Sequence, residues 1–398
     1  MPNSPAIDLA KVRADTPHCE KLIHFNNAGA ALSPDSVTQT QIAHLQLEQE
    51  IGGYEAADRA GAQIARFYSA FAELLNCQAS EIAFMENATR AWHAAFHAID
   101  LKAGDHIITA DMEYASNYLD LLHSATRKQF EITTIASDQQ GLVDLDAVRA
   151  AIRPTTRLLC LTYVPSQRGD IQPAREFGAI AREHGLWYLL DACQAAGQLS
   201  IDVDTIGCDF LCGTGRKYLR GPRGTGFLYA RKSRLDELVP AVVDLHSVQW
   251  KSPMEYELSP DAIRFENFER DIAAMIGLAT AVDYALNTGI ESIEQRVQYL
   301  ARRLHDSLAA CSNIVVHERS PFLSGIVTFN RKDLDANSTK KLLNDAGINT
   351  SVSRAMNAQL DLGKKGLDIN RASIHYYNTE EEIESALAII ADCVRSRR

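Results

Sequence analysis

No stretch of the chain approaches the ~18 consecutive apolar residues of a membrane-spanning helix, so none is expected. Met1 to Ala10 lacks a basic start followed by an apolar core, so no secretory signal is read and the expected location is cytoplasmic. Positive charge is also short. Forty Lys and Arg against 51 Asp and Glu leave a formal net charge of -11, which argues against nucleic acid or an anionic membrane as partner. The basic tail Arg395, Arg397 and Arg398 reads as a helix C-terminus complementing its own dipole. The eight cysteines include no Cys-x-x-Cys pair and no Cys/His cluster of zinc spacing, so no metal is expected. Several, such as Cys160 in RLLCLTY, sit in apolar runs where a thiol behaves as a small hydrophobe, and the set reads as reduced core thiols. There is no internal repeat and no low-complexity linker.

What is present is 398 residues, more than one hydrophobic core usually serves, so two domains are expected. In the middle of the chain short β-type runs alternate with helical patterns. Candidate strands are Ile82–Met85, His106–Thr109, Phe130–Ile135, Arg157–Tyr163, Trp187–Leu190, Phe210–Cys212 and Gly226–Tyr229. Amphipathic stretches such as Thr89–Ile99, Asp144–Ala151 and Pro173–His184 lie between them. Such spacing means βαβ crossovers and a largely parallel sheet covered on both faces. Ligands bind beyond the carboxyl ends of strands in such sheets. Past Asp261–Asp271 the alternation stops. Two long helices, about Ile272–Leu286 and Ile293–Ala310, precede strand candidates Ile314–Val316, Ile326–Phe329 and Ser373–Tyr376 and a last helix Glu380–Val394. Asp361–Gly366 reads as a surface loop. The expected division is a large domain over 1–270 and a smaller α+β domain over 271–398.

Three segments carry candidate chemistry, and each also has an ordinary reading. In WYLLDACQ an apolar strand ends at Asp191, placed to meet a ligand or simply to cap the following helix. In GTGRKYLRGPRGTGFLY glycines flank Arg216-Lys217; a flexible lysine there could form an imine, or the loop could be merely basic and solvated. In MENATRAW a strand turns into a helix at Asn87-Ala88-Thr89, suited to a phosphate or only an Asn cap.

Taken in order, Asp191-x-x-Gln194 followed by Gly-x-Gly-Arg216-Lys217 resembles the cofactor core of the class V aminotransferase family, which includes cysteine desulfurases, selenocysteine lyases and kynureninase-like enzymes. The resemblance runs from about Phe25 to Tyr377. It implies the fold type I of pyridoxal-phosphate enzymes, an α/β structure with a mainly parallel seven-stranded sheet between helices. It implies a pyridoxal 5'-phosphate cofactor held as a Schiff base by Lys217, the catalytic lysine that later moves protons at the substrate α-carbon. Asp191 would bind the pyridine nitrogen, and Gln194 and Ser166 would lie near the phenolic oxygen. Ala88, Thr89 and Thr214 would serve the phosphate. Tyr114 stands where desulfurases place a ring-stacking His, and Arg216 where they carry another His. Arg371, in NRASIHYYNTEEE, matches the arginine that takes the substrate α-carboxylate. Asn27 and Ala28, within Asn26–Gly29, would line the same site, and His375 and Tyr376 read as strand residues beside it.

The resemblance also implies a homodimer with active sites at the interface, where Glu269 and Arg270 of Phe265–Ile272 replace the usual Thr. Desulfurases carry a mobile cysteine just upstream of the carboxylate-binding arginine. Thr350–Leu360 has none, and Cys193 reads as packed against the sheet, so persulfide formation is not expected. A further likeness to hercynylcysteine sulfoxide lyases rests on Gly52-Gly53-Tyr54, Glu113-Tyr114, Ser166-Gln167-Arg168-Gly169 and the Arg216-Lys217 loop. The expectation is an enzyme acting at the α-carbon of an amino acid, as a C–S or related β-lyase. Transamination, epimerisation, and a non-catalytic binding protein of the same fold stay open.

Overall fold

The computed structural model describes residues 7–392. Cys393 and the basic tail at Arg395, Arg397 and Arg398 lie outside that range, as do Val394 and Met1–Ala6. In chain order, α1 (Leu9–Ala14) and β1 (Ile23–His24) lead into α2 (Asp35–Ile51), α3 (Gly53–Arg59) and α4 (Gly61–Leu75). Then follow β2 (Ile82–Met85), α5 (Ala88–Ala98), β3 (His106–Ala110), α6 (Ala115–Lys128), β4 (Glu131–Ile135), α7 (Leu145–Ala151) and β5 (Thr156–Thr162). Next come α8 (Ala174–Glu183), β6 (Trp187–Asp191), α9 (Val203–Ile206), β7 (Phe210–Thr214) and β8 (Gly226–Ala230). A hairpin, β9 (Val248–Ser252) and β10 (Glu255–Leu258), precedes α10 (Ile272–Thr288) and α11 (Ile290–Ala309). The remainder is β11 (Ile314–Val316), β12 (Ile326–Arg331), α12 (Ala336–Asp345), β13 (Ile348–Asn349), β14 (Ser351–Ser353), α13 (Leu362–Lys365), β15 (Ile369–Ser373) and α14 (Glu380–Asp392).

The central sheet has seven strands in the order β2-β8-β7-β6-β5-β3-β4. Its pairings from β4 across to β7 are parallel; β8 runs antiparallel to both neighbours. Consecutive strand residues face opposite sides, and here both sides are covered. Leu159, Leu190, Leu211 and Phe227 join Phe67, Phe71 and Phe177 in one core. Their neighbours Leu158, Leu189, Phe210 and Leu228 join Trp92, Phe96 and Leu121 in the other. That double burial is why these strands read as unbroken apolar runs. Helix starts are set by short polar caps: Asp144 accepts from Asp146 and Ala147 N–H, and Asp271 accepts from Ala274 N–H.

A second sheet, β11-β12-β15-β14, is antiparallel and packs a third core that includes Phe329, Leu304 and Ile383. The amino-terminal β1 pairs in parallel with β13. Among the described residues no helix is long and apolar enough to cross a membrane.

Three expectations need correction. The strand read at Ser373–Tyr376 instead occupies Ile369–Ser373; His375 and Tyr376 lie beyond it, where Asn378 Oδ1 accepts the His375 N–H at 2.8 Å and turns the chain. Asp361–Gly366 contains a short helix, α13, closed by Gly366 at φ 59. The helix placed at Ile293 starts at Ile290, because Gly289 at φ 90 both ends α10 and lets α11 begin. The helices from Asp35 to Leu75, α6 and the hairpin went unread.

Helix α10 lies beneath the loop that carries Lys217. A Cβ built on Gly215 or Gly221 would come within 2.8 or 2.6 Å of Leu278 Cδ1, and Leu278 itself is fully buried. Truncating Leu278 to Ala is expected to cost about 2–5 kcal/mol, read as a lower urea midpoint in unfolding of the full chain.

Candidate active site

Asp191, Thr162 and Thr214 are the last residues of β6, β5 and β7, and Glu113-Tyr114 and Asn87-Ala88 follow β3 and β2 closely. All of these ends fall on one side of the sheet, and a cavity of about 240 Å³ opens among them. Ala88, Thr89, Tyr114, Ser166, Asp191, Gln194, Thr214, Arg216 and Lys217 all line it.

At one end stands the first turn of α5. Asn87 caps it, its Oδ1 accepting the Arg90 N–H at 3.0 Å, so the N–H groups of the opening turn face outward for an anion. The turn sits against β7 and β8 because position 226 is glycine. A Cβ there would lie 2.7 Å from Gly213 O and 2.8 Å from the Asn87 carbonyl carbon. Thr214 Oγ1 donates to Thr225 O at 3.1 Å and fixes the hydroxyl beside the turn.

Asp191 is buried and held from both sides. Its Oδ1 accepts the Cys193 N–H at 2.8 Å, and its Oδ2 accepts from Asn117 Nδ2 at 2.8 Å. Asn117 also donates to Glu113 at 3.0 Å, and Glu113 takes further bonds from Thr162 (2.6 Å) and Thr109 (3.0 Å). Burial, aided by the charge of Asp191, pushes the Glu113 carboxyl above its ordinary range. Asn117 went unread in the sequence; an Asn at the start of a helix carries no signal until the fold sets it opposite a strand-end acid.

Lys217 is buried, and burial pushes its amine below the usual lysine value, with Arg216 and Arg371 acting in the same direction. More of it is therefore neutral near pH 7 than of an exposed lysine. The loop is not flexible, as its glycines suggested. Gly221 N–H donates to Gly215 O (2.8 Å) and Arg220 N–H to Lys217 O (2.9 Å), and the fully buried Arg220, at φ 61, donates to Leu32 O and Tyr376. His375 bonds Tyr218 O at 3.1 Å. The lysine is presented on a closed loop.

Arg371, from β15, donates to Ser166 O at 2.7 Å and to Ser351 Oγ at 3.0 Å. It has no carboxylate partner among the described residues, and burial, with Arg216 nearby, pushes it down to about 10. Such an arginine suits an incoming carboxylate. Asn27 and Ala28 stand behind the cavity rather than in its lining. Asn27 is spent on His24 O, Ser373 O and the Tyr377 hydroxyl, and Ala28 O accepts from Gln194 Nε2 at 3.2 Å. Arg216 reaches the neighbouring Gly29 O. Cys193 is not packed away against the sheet: it lines the cavity, with burial, then Asp191, raising its thiol far above the ordinary range.

The fit to pyridoxal phosphate can be judged on these residues. An anion-ready helix start, an anchored carboxylate and a buried lysine surround one space. Gln194 Oε1 is buried without a partner at its side. The donor set fits the group.

Comparison with known proteins agrees. Residues 23–386 match the family model described as aminotransferase class-V. A protein from Methanothermobacter thermautotrophicus named as a probable cysteine desulfurase is 30% identical over 94% of this chain and 95% of its own. The apo structure of a cysteine desulfurase from Thermococcus onnurineus NA1 superposes with a TM-score of 0.90 at 26% identity, covering 99% of both chains. A lysine-to-alanine mutant of C-DES, described with glycine covalently linked to the PLP cofactor, shares the fold at TM-score 0.88 and 24% identity over 96% of this chain and 99% of its own. The two relatives named as cysteine desulfurases overturn the expectation of a β-lyase that forms no persulfide. The absence of a cysteine from Thr350–Leu360 was too narrow a ground for excluding the desulfurase reaction.

Asn117→Ala would leave Asp191 Oδ2 without its side-chain donor. A hydrogen bond to a charged group is worth about 1.5–3 kcal/mol, so apoprotein should bind pyridoxal phosphate ~10- to 100-fold more weakly. Binding within twofold of wild type, by fluorescence titration, would show that Asn117 does not support the site.

Proposed function

The chain belongs to the aminotransferase class-V family and is a pyridoxal-phosphate enzyme, and from there we propose that it breaks the Cβ–S bond of cysteine, passing the sulfur to a thiol and leaving alanine. The reaction balances: cysteine and a thiol give alanine and the thiol's persulfide, the acceptor sulfur being oxidised as the β-carbon is reduced. Cysteine as substrate rests on the names of the relatives. The observation that carries the reading is a half-buried arginine, without an acid partner among the described residues, whose charge acts on a buried lysine. The likeness to hercynylcysteine sulfoxide lyases finds no support among the relatives reported, and that subgroup is set aside.

Bound cofactor supplies an electron sink for charge left at the substrate α-carbon. Asp191, held in place by Asn117 and the Cys193 N–H, would face the ring nitrogen and keep it protonated. The start of α5 with Thr89 and Thr214 would hold the phosphate. Gln194 and Ser166 would flank the phenolic oxygen, and Tyr114 would cover the ring face. Arg371 would take the substrate carboxylate with its two-pronged donors. Lys217 would hold the cofactor, take the α-proton and deliver protons to the β-carbon and back to the α-carbon, the additional one coming from the acceptor thiol, a task its depressed basicity favours. Thr350–Leu360 contains no thiol, so the proposed acceptor comes from solution or from another protein.

We further propose a homodimer. Ile42 and Leu45 on α2, Leu119 and Leu122 on α6, Val242 and Phe268 are large apolar side chains left exposed, and α6 begins at the cavity-lining Tyr114. The division into 1–270 and 271–398 is proposed with α10 as the joint: it opens the second part, yet its Met275, Leu278 and Val282 pack in the core of the first. A cytoplasmic location is proposed on the seven free thiols among the described residues.

Purified protein given L-cysteine and dithiothreitol should release alanine and sulfide in equal amounts, and Lys217→Ala should abolish both. Pyruvate and ammonia in place of alanine would overturn the reading, as would a borohydride-reduced adduct mapping away from Lys217.

A further inference from the structure

Glu318 lies outside the cavity and is buried, with no cation ion-paired to it among the described residues. A lone buried carboxylate is costly, and what it binds is specific. It accepts the Gly169 N–H at 3.2 Å, and from Thr328 it accepts the backbone N–H at 3.0 Å and the hydroxyl at 2.6 Å. Both partners lead to Arg371. Thr328 is the residue directly opposite Arg371 in the antiparallel pair β12–β15. Gly169 belongs to the loop Ser166–Asp170, whose first carbonyl accepts from Arg371 at 2.7 Å.

The contact between that loop and the second sheet is close and continuous. Ser324 N–H donates to Gly169 O (2.9 Å), and Asp170 Oδ1 accepts the N–H groups of Arg319 and Ser320 at 3.0 and 2.9 Å. A Cβ on Gly169 would fall 1.8 Å from Ile326 O, so only glycine brings the backbones this near. One carboxylate thus ties together the strand beside Arg371 and the loop before it.

We propose that Glu318 is a positioning residue for the substrate carboxylate, setting the guanidinium of Arg371 by holding its neighbouring strand and its carbonyl partner in one geometry. This rests on the reading that Arg371 takes that carboxylate. Glu318→Gln keeps the shape of the side chain but turns an NH2 group toward one of the three donors. In the cofactor-loaded enzyme it should raise KM for L-cysteine and Kd for L-alanine ~10-fold or more, since small misplacements of a binding group cost up to about 10²-fold. The value of kcat should stay within about threefold, and binding of cysteamine, which lacks the carboxylate, should not change.

Arg371→Lys, run beside it, separates the two claims. If Arg371→Lys weakens alanine but not cysteamine while Glu318→Gln leaves both unchanged, the role of Glu318 falls and that of Arg371 stands. If Arg371→Lys does not discriminate between them, the reading beneath falls. Should Glu318→Gln fail to fold, Thr328→Val removes only the hydroxyl contact. A rise in KM alone supports the proposal, and an unchanged KM or an equal loss in kcat and kcat/KM overturns it.

Discussion

A half-buried positive side chain with no negative partner among the described residues is the constraint around which the candidate site is arranged. Among the described residues Arg371 bonds a backbone carbonyl and a serine hydroxyl, neither of which neutralises it. Such a charge is tolerable when an anion arrives to share the site. The strand that bears it comes from the second sheet, whereas the carbonyl that orients it comes from a loop of the first. The carboxylate seat proposed for Arg371 therefore lies where the two sheets meet.

Charges of both signs meet at the cavity and just beyond its lining. Burial first, then Arg216 and Arg371, lower the basicity of Lys217, and Asp191 partly offsets them. Asp191 shares the donor Asn117 with Glu113, whose own carboxyl is pushed up by burial. One amide thereby orders two acids, Asp191 at the carboxyl end of β6 and Glu113 just after β3. The closed loop from Gly215 to Gly221 fixes the backbone from which Lys217 projects, so that ordering cost is met at folding and not on binding.

The choice of reaction lay beyond what a search for one residue could decide. Losing a thiol from Thr350–Leu360 removes one place for sulfur to go; it does not alter the groups that act at the α-carbon. Those groups are shared by every reaction weighed for the chain, and the relatives named as desulfurases are what separate them. Acceptor identity is a property of surfaces and partners, which a catalytic motif does not encode.

Much of the fold was legible because a mainly parallel sheet buried on both faces forces apolar runs; six central strands were visible that way, and the edge strand β4 (EITTI) by its β-branched residues. Asp191, Lys217 and Thr214 were legible because strand ends and glycine-flanked loops are local features. Short antiparallel strands such as Ser351–Ser353, half exposed, and the helices before Leu75 gave no comparable pattern. Asn117, Glu318 and the closure of the lysine loop are facts of distance, the first two meeting their partners 74 and 149 residues away in the chain. The sequence by itself determined the central sheet and the cofactor chemistry. Only the tertiary structure decided where the second sheet's arginine points and what holds it, because hydrogen bonds between distant segments leave no period or spacing in the chain.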